Sequence, residues 1–315
     1  MASKYISSFK LPSKKVLIFF GSCTGILSLI YRDNRLSKEA KIFVENKVSH
    51  LALEPLNAHE LPRKVTVYLA PPLGDGIYKA KIHFREYVMP VLNAAALEYD
   101  IVEGTKPGQL RSKVREAIRE KRKQELSPSS QSSLSSTADS DQTFKAITPS
   151  KPIGGGTIII GRVGWVEYLQ GLNEGCLASL EDPPSKQTKS DSNFEQADQQ
   201  LDTSQNKNGN EESEPEFIIS EKDFSVPELD PIGYIHFYNR IGWKNILFRI
   251  YYALNSYKEF NIAGEEAVKV ALGNTRPFKN NDLNLGKDEE KFFKGTLNEP
   301  KTLDERIIAN LSMYS

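Results

Sequence analysis

The chain is poor in the residues that most often carry chemistry. It has two cysteines, Cys23 and Cys176, and four histidines, His50, His59, His83 and His236, in 315 residues. Cys23 lies within an apolar run and Cys176 far away in a helical pattern, which argues against a disulfide framework. The histidines show no HExxH spacing and the cysteines no CxxC spacing, so no metal or cofactor site is expected. Net charge is also lacking, because 41 basic residues balance 41 acidic ones. That removes the whole-chain basic field on which nucleic-acid binding relies. A hydrophobic fraction of 39% is low for a wholly folded chain and predicts disordered stretches.

The first fifteen residues lack acids and carry Lys4, Lys10, Lys14 and Lys15. Val16 to Tyr31 then runs sixteen residues without a charge. Such a run spans about 24 Å as a helix, short of a hydrocarbon core of about 30 Å. Counting from Pro12, which suits a first helical turn, with Lys14 and Lys15 snorkelling to the headgroups, closes that gap. Arg32, Asp33, Asn34 and Arg35 follow at once and leave no small-residue cleavage site. We therefore expect a basic, Ser-containing leader of mitochondrial character at 1–11 and a transmembrane anchor at 12–31. Residues 1–15 carry +4 and residues 32–47 carry +2, so the positive-inside rule puts the N-terminus on the matrix side. Gly21 and Gly25 form a GxxxG pair with Ser22 and Ser28 nearby, a face on which a second membrane helix could pack closely. Glycine is also simply frequent in membrane helices.

Residues 32–62 read as an amphipathic juxtamembrane helix and a connection bracketed by Pro55 and Pro62. Strand patterns at Val65–Ala70, Tyr99–Val102, Thr157–Ile160 and Gly233–Phe237 alternate with helical ones. The helices follow the turn Pro71–Gly76, with a kink expected at Pro90, then Pro107, and then Trp165 to Leu180. Trp243, Ile246, Leu247, Ile250, Tyr251 and Leu254 trace one further helix. This order predicts an α/β domain over 63–275 with a mostly parallel sheet and covering helices. Eight serines within 127–140, and a net charge of −10 over 181–230, predict two disordered inserts, near 126–150 and 181–230. Residues 276–315 read as a C-terminal tail.

For chemistry, the turn Pro71-Pro72-Leu73-Gly74-Asp75-Gly76 between strand and helix is the strongest lead. Free N–H groups and a helix dipole can hold phosphate there, but GxGxxG and a P-loop lysine are absent. Gly154-Gly155-Gly156 precedes its strand and reads as a flexible lead-in. Arg162 in Gly161-Arg162-Val163-Gly164 could meet an anion. Arg111, Lys113, Arg115, Arg119, Lys121, Arg122 and Lys123 form a basic helix face, which as a charge run reads as solvated and for which anionic lipid, ahead of nucleic acid, is the functional alternative. The alternatives are a membrane-anchored subunit without catalysis and a membrane-anchored phosphate-ligand or lipid-modifying enzyme.

A set of short motifs bears on that choice. They are Phe9-Lys10-Leu11-Pro12-Ser13, Pro62-Arg63-Lys64-Val65-Thr66-Val67, Ala70-Pro71-Pro72, Tyr87-Val88-Met89-Pro90-Val91-Leu92, Leu97-Glu98-Tyr99-Asp100, Gly161-Arg162, Glu167-Tyr168-Leu169-Gln170-Gly171-Leu172-Asn173-Glu174-Gly175 and Arg276-Pro277-Phe278. In this order they resemble the fifty-four-kilodalton subunit of the fungal mitochondrial carrier translocase. The resemblance implies an inner-membrane protein with its large domain in the intermembrane space. It implies membership of a complex that inserts multi-spanning proteins. The partners it implies are the channel-forming subunit, other subunits and the small intermembrane-space chaperones. It implies no catalytic residue and no cofactor.

Overall fold

A computed structural model describes residues 13–55, 62–126, 155–180, 224–293, 295, 297 and 303–315. Pro12, the leader and the inserts at 127–154 and 181–223 lie outside the described residues.

The anchor and the juxtamembrane helix are one element. Helix α1 runs unbroken from Lys14 to Val48. No residue of its apolar first half is buried, whereas Val44 and Val48 are fully buried. In the apolar half Ser22 and Thr24 return their hydroxyls to the carbonyls of Phe19 and Phe20, each at 2.8 Å. Those bonds satisfy polar groups that a bilayer could not.

The domain follows as β1 (Lys64–Leu69), α2 (Tyr78–His83), α3 (Met89–Ala94), β2 (Glu98–Glu103), α4 (Gln109–Leu126), β3 (Gly156–Ile160), α5 (Gly161–Leu177), β4 (Ile232–Ile235), α6 (Ile246–Ala253), α7 (Tyr257–Leu272), β5 (Thr275–Pro277), α8 (Glu305–Asn310) and β6 (Ser312–Tyr314). The sheet order is β2-β1-β3-β4-β6-β5, parallel throughout except for the antiparallel β5–β6 pair. Val67 sits beside Ile101 on one flank and Ile158 on the other. Side chains alternate between two cores. Val65, Val67, Leu69, Ile158, Ile160 and Ile235 meet α1, α3 and α7 on one face. Ile159, Ile232 and Tyr234 meet α4 and α5 on the other. All five residues of β3 are buried, as a central parallel strand covered on both faces requires.

Pro90 acts as expected. A proline inside a helix removes one N–H and crowds the carbonyl four residues back. The chain absorbs this in a π-helical turn, Phe84–Val88, with Pro90 in the first turn of the resumed helix α3.

Three expectations need correction. The segment 276–315 is not a tail outside the domain. Arg276 and Met313 pair across β5 and β6, and Ile307, Leu311 and Met313 enter the second core. The acidic insert ends earlier than 230, because Phe224, Val226 and Leu229 pack on that same core. The helix read over Trp243–Leu254 is short and exposed; the element that packs is α7, with Phe260, Ala263, Ala267 and Val270 buried. Alanine and glycine make up much of its inner face, so its apolar stripe was faint.

Candidate functional site

In a doubly wound sheet ligands bind beyond the carboxyl ends of the strands, where strand order reverses. Here the chain passes from β1 outward to β2 and then returns to the other side of β1 as β3. The switch point therefore lies between the ends of β1 and β3. The turn Pro71–Gly76 leaves β1 there, and α5 begins at Gly161 directly after β3. Gly161 has φ +76°, a conformation favouring glycine. A Cβ there would lie 3.2 Å from Cβ of Phe237.

A cavity of 540 Å³ opens at this point between Pro71–Asp75, Pro107, Gly108 and the Val163, Val166 and Glu167 positions of α5. Two helix N-termini border the region, and each already holds a carboxylate of the chain itself. Glu167, on α5, is buried, and its Oε1 accepts the N–H of Gly108 at 2.9 Å. The N–H groups of Leu110 and Arg111, in the first turn of α4, also face it. Burial pushes its carboxyl up, opposed by these backbone donors.

Glu289 does the same for α5. It comes from the 3₁₀ turn Lys287–Phe292 and is 1% exposed. Its Oε2 accepts the N–H of Arg162 at 2.8 Å. Its Oε1 accepts the hydroxyl of Tyr234 at 2.6 Å and the N–H of Phe237 at 2.9 Å. Burial pushes the Glu289 carboxyl up to about 7 against those donors. On α4 and α5 the position a phosphate would take at a helix N-terminus is filled from within.

The residues singled out from sequence are placed differently. Arg162 is buried, donating to Glu290 at 2.8 Å and to the carbonyl of Leu283 at 2.7 Å. It is a structural clamp, not an anion receptor. Gly155 and Gly156 lead into β3 against Asp230 and Tyr314.

The basic face of α4 is corrected most. Arg111 pairs with Glu174, Arg115 is buried beside the same carboxylate, and Lys121 pairs with Asp230 at 2.7 Å. Arg122 donates to the carbonyls of Gly175 and Ala178 at 2.7 and 2.8 Å and to Ser225 at 2.8 Å. Helix α5 and the Phe224–Asp230 segment cover this face, so it offers little to a lipid surface. Gly171 and Gly175 allow that cover; a Cβ at either would meet the backbone of Arg111 or the side chain of Ile118 within 3 Å.

Gly21 and Gly25, by contrast, lie on an open face. A Cβ at either meets nothing within 4 Å.

Sequence reasoning did not single out Glu289, Glu167 or the clamp that fixes α1 to the domain. In that clamp Arg32 donates to Oδ1 of Asn255 at 2.8 Å, and Ser256 donates to Oδ2 of Asp33 at 2.7 Å. Glu289 sits in Lys287-Asp288-Glu289-Glu290-Lys291, a charge run that looks like any solvated turn.

Residues 5–223 match the family model described as inner membrane protein import complex subunit Tim54. The chain belongs to the Tim54 family. Relatives named mitochondrial import inner membrane translocase subunit tim54 align with it from several fungi. That of Aspergillus oryzae is 36% identical over 184 residues, covering 58% of this chain and 41% of its own. That of Schizosaccharomyces pombe is 33% identical over 175 residues, covering 55% and 47%. The aligned part thus spans less than half of those two Tim54 proteins. The Candida albicans Tim54 aligns over 345 residues at 25% identity, covering 90% of this chain and 86% of its own. One described helix, from Lys14 onward, is long and apolar enough to cross a membrane, in keeping with the Tim54 description.

Proposed function

We propose that this chain is a non-enzymatic subunit of the translocase of the mitochondrial inner membrane. In this reading it scaffolds the complex that imports and inserts multi-spanning carrier proteins, and it docks the small chaperones that deliver them. Its partners are the channel-forming and other translocase subunits, the intermembrane-space chaperones and membrane lipid. It needs no cofactor. The N-terminus lies in the matrix and the α/β domain in the intermembrane space, as the +4 charge of residues 1–15 argues.

One observation carries the non-enzymatic part. The N-termini of α4 and α5, which border the cavity beside the switch point, hold the chain's own carboxylates, Glu167 and Glu289. A phosphate-ligand enzyme on this fold would leave at least one of them free for substrate. The subunit reading draws its support from the family match and from α1, which enters the domain core without a break.

The test is native electrophoresis of tagged protein from mitochondria, paired with import assays after its depletion. The chain should migrate in a large complex, and carrier insertion should fall while matrix import continues. Protease should digest the domain once the outer membrane is ruptured. A chain that migrates alone, or a domain protected until the inner membrane is lysed, overturns the assembly or the topology respectively.

A further inference from the structure

The outer face of helix α6 is apolar and meets no partner among the described residues. None of its residues is buried, and Trp243, in the turn before it, is 90% exposed. Leu247 is 79% exposed, and Phe248, Ile250 and Tyr251 are each about half exposed. Eight residues are too few to hold a helix in water by themselves, where roughly 12–15 are marginal. The inner side is held by Tyr252, whose ring lies 3.5 Å from the Arg240 guanidinium. Arg240 in turn pairs with Glu259 of α7 at 2.8 Å. The outer side needs a cover.

Its position says what the cover is. The corner between α6 and α7, Leu254–Ser256, is fastened to α1 where the charge-free run stops. Arg32 and Asp33 bind Asn255 and Ser256 there, and Ser37 lies 2.9 Å from the Ser256 hydroxyl. If α1 spans the bilayer up to Tyr31, that corner is at headgroup level. A helix of eight residues is about 12 Å long, so all of α6 stays within about that distance of the corner. The charge pattern agrees. From Pro231 to Lys258 there is no acid, while Lys244, Arg249 and Lys258 flank the apolar side chains. Tryptophan and tyrosine favour the membrane interface, and lysine and arginine stems reach from apolar depth to the headgroups.

We propose that α6 with Trp243 is a second membrane contact of this chain. It lies in the interface of the same bilayer that α1 crosses, with Trp243, Leu247 and Ile250 among the acyl chains. Two attachments on one rigid clamp would hold the α/β domain at a fixed tilt, where a single anchor would let it swing. This goes beyond the translocase reading and needs only α1 in a membrane.

The chain has two tryptophans. Trp165 is fully buried, so Trp165→Phe isolates the signal of Trp243. The full chain is reconstituted without any partner in nanodiscs of phosphatidylcholine and phosphatidylglycerol carrying brominated acyl chains. Trp243 emission is expected to shift to the blue and to be quenched more by bromine near the headgroup than by bromine near the chain end. Leu247→Glu with Ile250→Glu should abolish the quenching and restore access to acrylamide, with helix content and anchor insertion kept. The difference spectrum between wild type and Trp243→Phe gives the same readout should Trp165→Phe fail to fold. Water-exposed Trp243 emission in the lipid-only system overturns the proposal and leaves a protein as the occupant of α6.

Discussion

Oε2 of Glu289 accepts the backbone N–H of Arg162 at 2.8 Å, across 127 positions of sequence. Through this contact the C-terminal part of the chain reaches under the sheet's switch point and closes the N-terminus of α5.

The burial of Glu289 makes stability depend on pH. The Glu289 carboxyl rises from 4.5 to about 7 through burial, so the folded chain holds its proton more tightly than the unfolded one. Its contribution is complete below the unfolded value of 4.5 and is lost as pH rises through about 7. His83 opposes it in an overlapping window. Burial lowers His83 from 6.5 to about 4, so its contribution is lost as pH falls. The readout is therefore wild type compared with Glu289→Gln. Thermal or denaturant unfolding should favour wild type increasingly as pH drops from about 7 to about 4.5, by roughly 3 kcal/mol at most. Parallel pH profiles would show that Glu289 stays ionised throughout.

Arg122 is an internal clamp and not a lipid ligand. Replacing it with methionine keeps most of the stem but removes the donors to the Gly175 and Ala178 carbonyls. Loss of these buried bonds should cost roughly 2–4 kcal/mol. Lys121→Met, which breaks only a half-exposed pair with Asp230, should cost at most about 1 kcal/mol. Equal, small effects in denaturant titrations would return both residues to the solvated face.

The anchor is built into the domain rather than tied to it. Val48 is fully buried in the first core, whereas Ile42 on the same helix is 56% exposed. Val48→Ala should destabilise the full chain in detergent by roughly 2 kcal/mol, and Ile42→Ala by much less. An unfolding midpoint unchanged in Val48→Ala would mean that α1 and the domain are independent.

A Cβ at Gly21 or Gly25 meets nothing within 4 Å among the described residues. Gly21→Leu with Gly25→Leu should preserve insertion and fill the groove that a partner membrane helix would use. Recovery of the channel-forming subunit in mild detergent should then fall. Unchanged recovery would leave assembly to the soluble domain.

Much of the architecture was legible because its causes are local. The apolar run after Lys15, the alternation around Val65–Leu69 and the three isoleucines of β3 each declare an element within a few residues. The serine-rich and acidic segments, 127–154 and 181–223, fall outside the described residues, so their expected disorder stays an expectation. What the local pattern could not decide was the partner of each face. The arginines of α4 read as solvated because helical period marks a face as polar without saying what lies against it. It took α5, some fifty residues on, to cover them. Trp243 and Leu247 read only as one face of a helix, since an apolar period is the same whether a core or a lipid surface meets it. Three-residue strands such as β5 and β6 carry too few residues for any period, and they exist because the open edge of β4 accepts them. Glu289 is buried only because Tyr234, Phe237 and Arg162, all distant in sequence, converge to donate to it. Hydrogen-bond satisfaction at a buried charge is a property of the folded neighbourhood, and no single segment of this chain contains it.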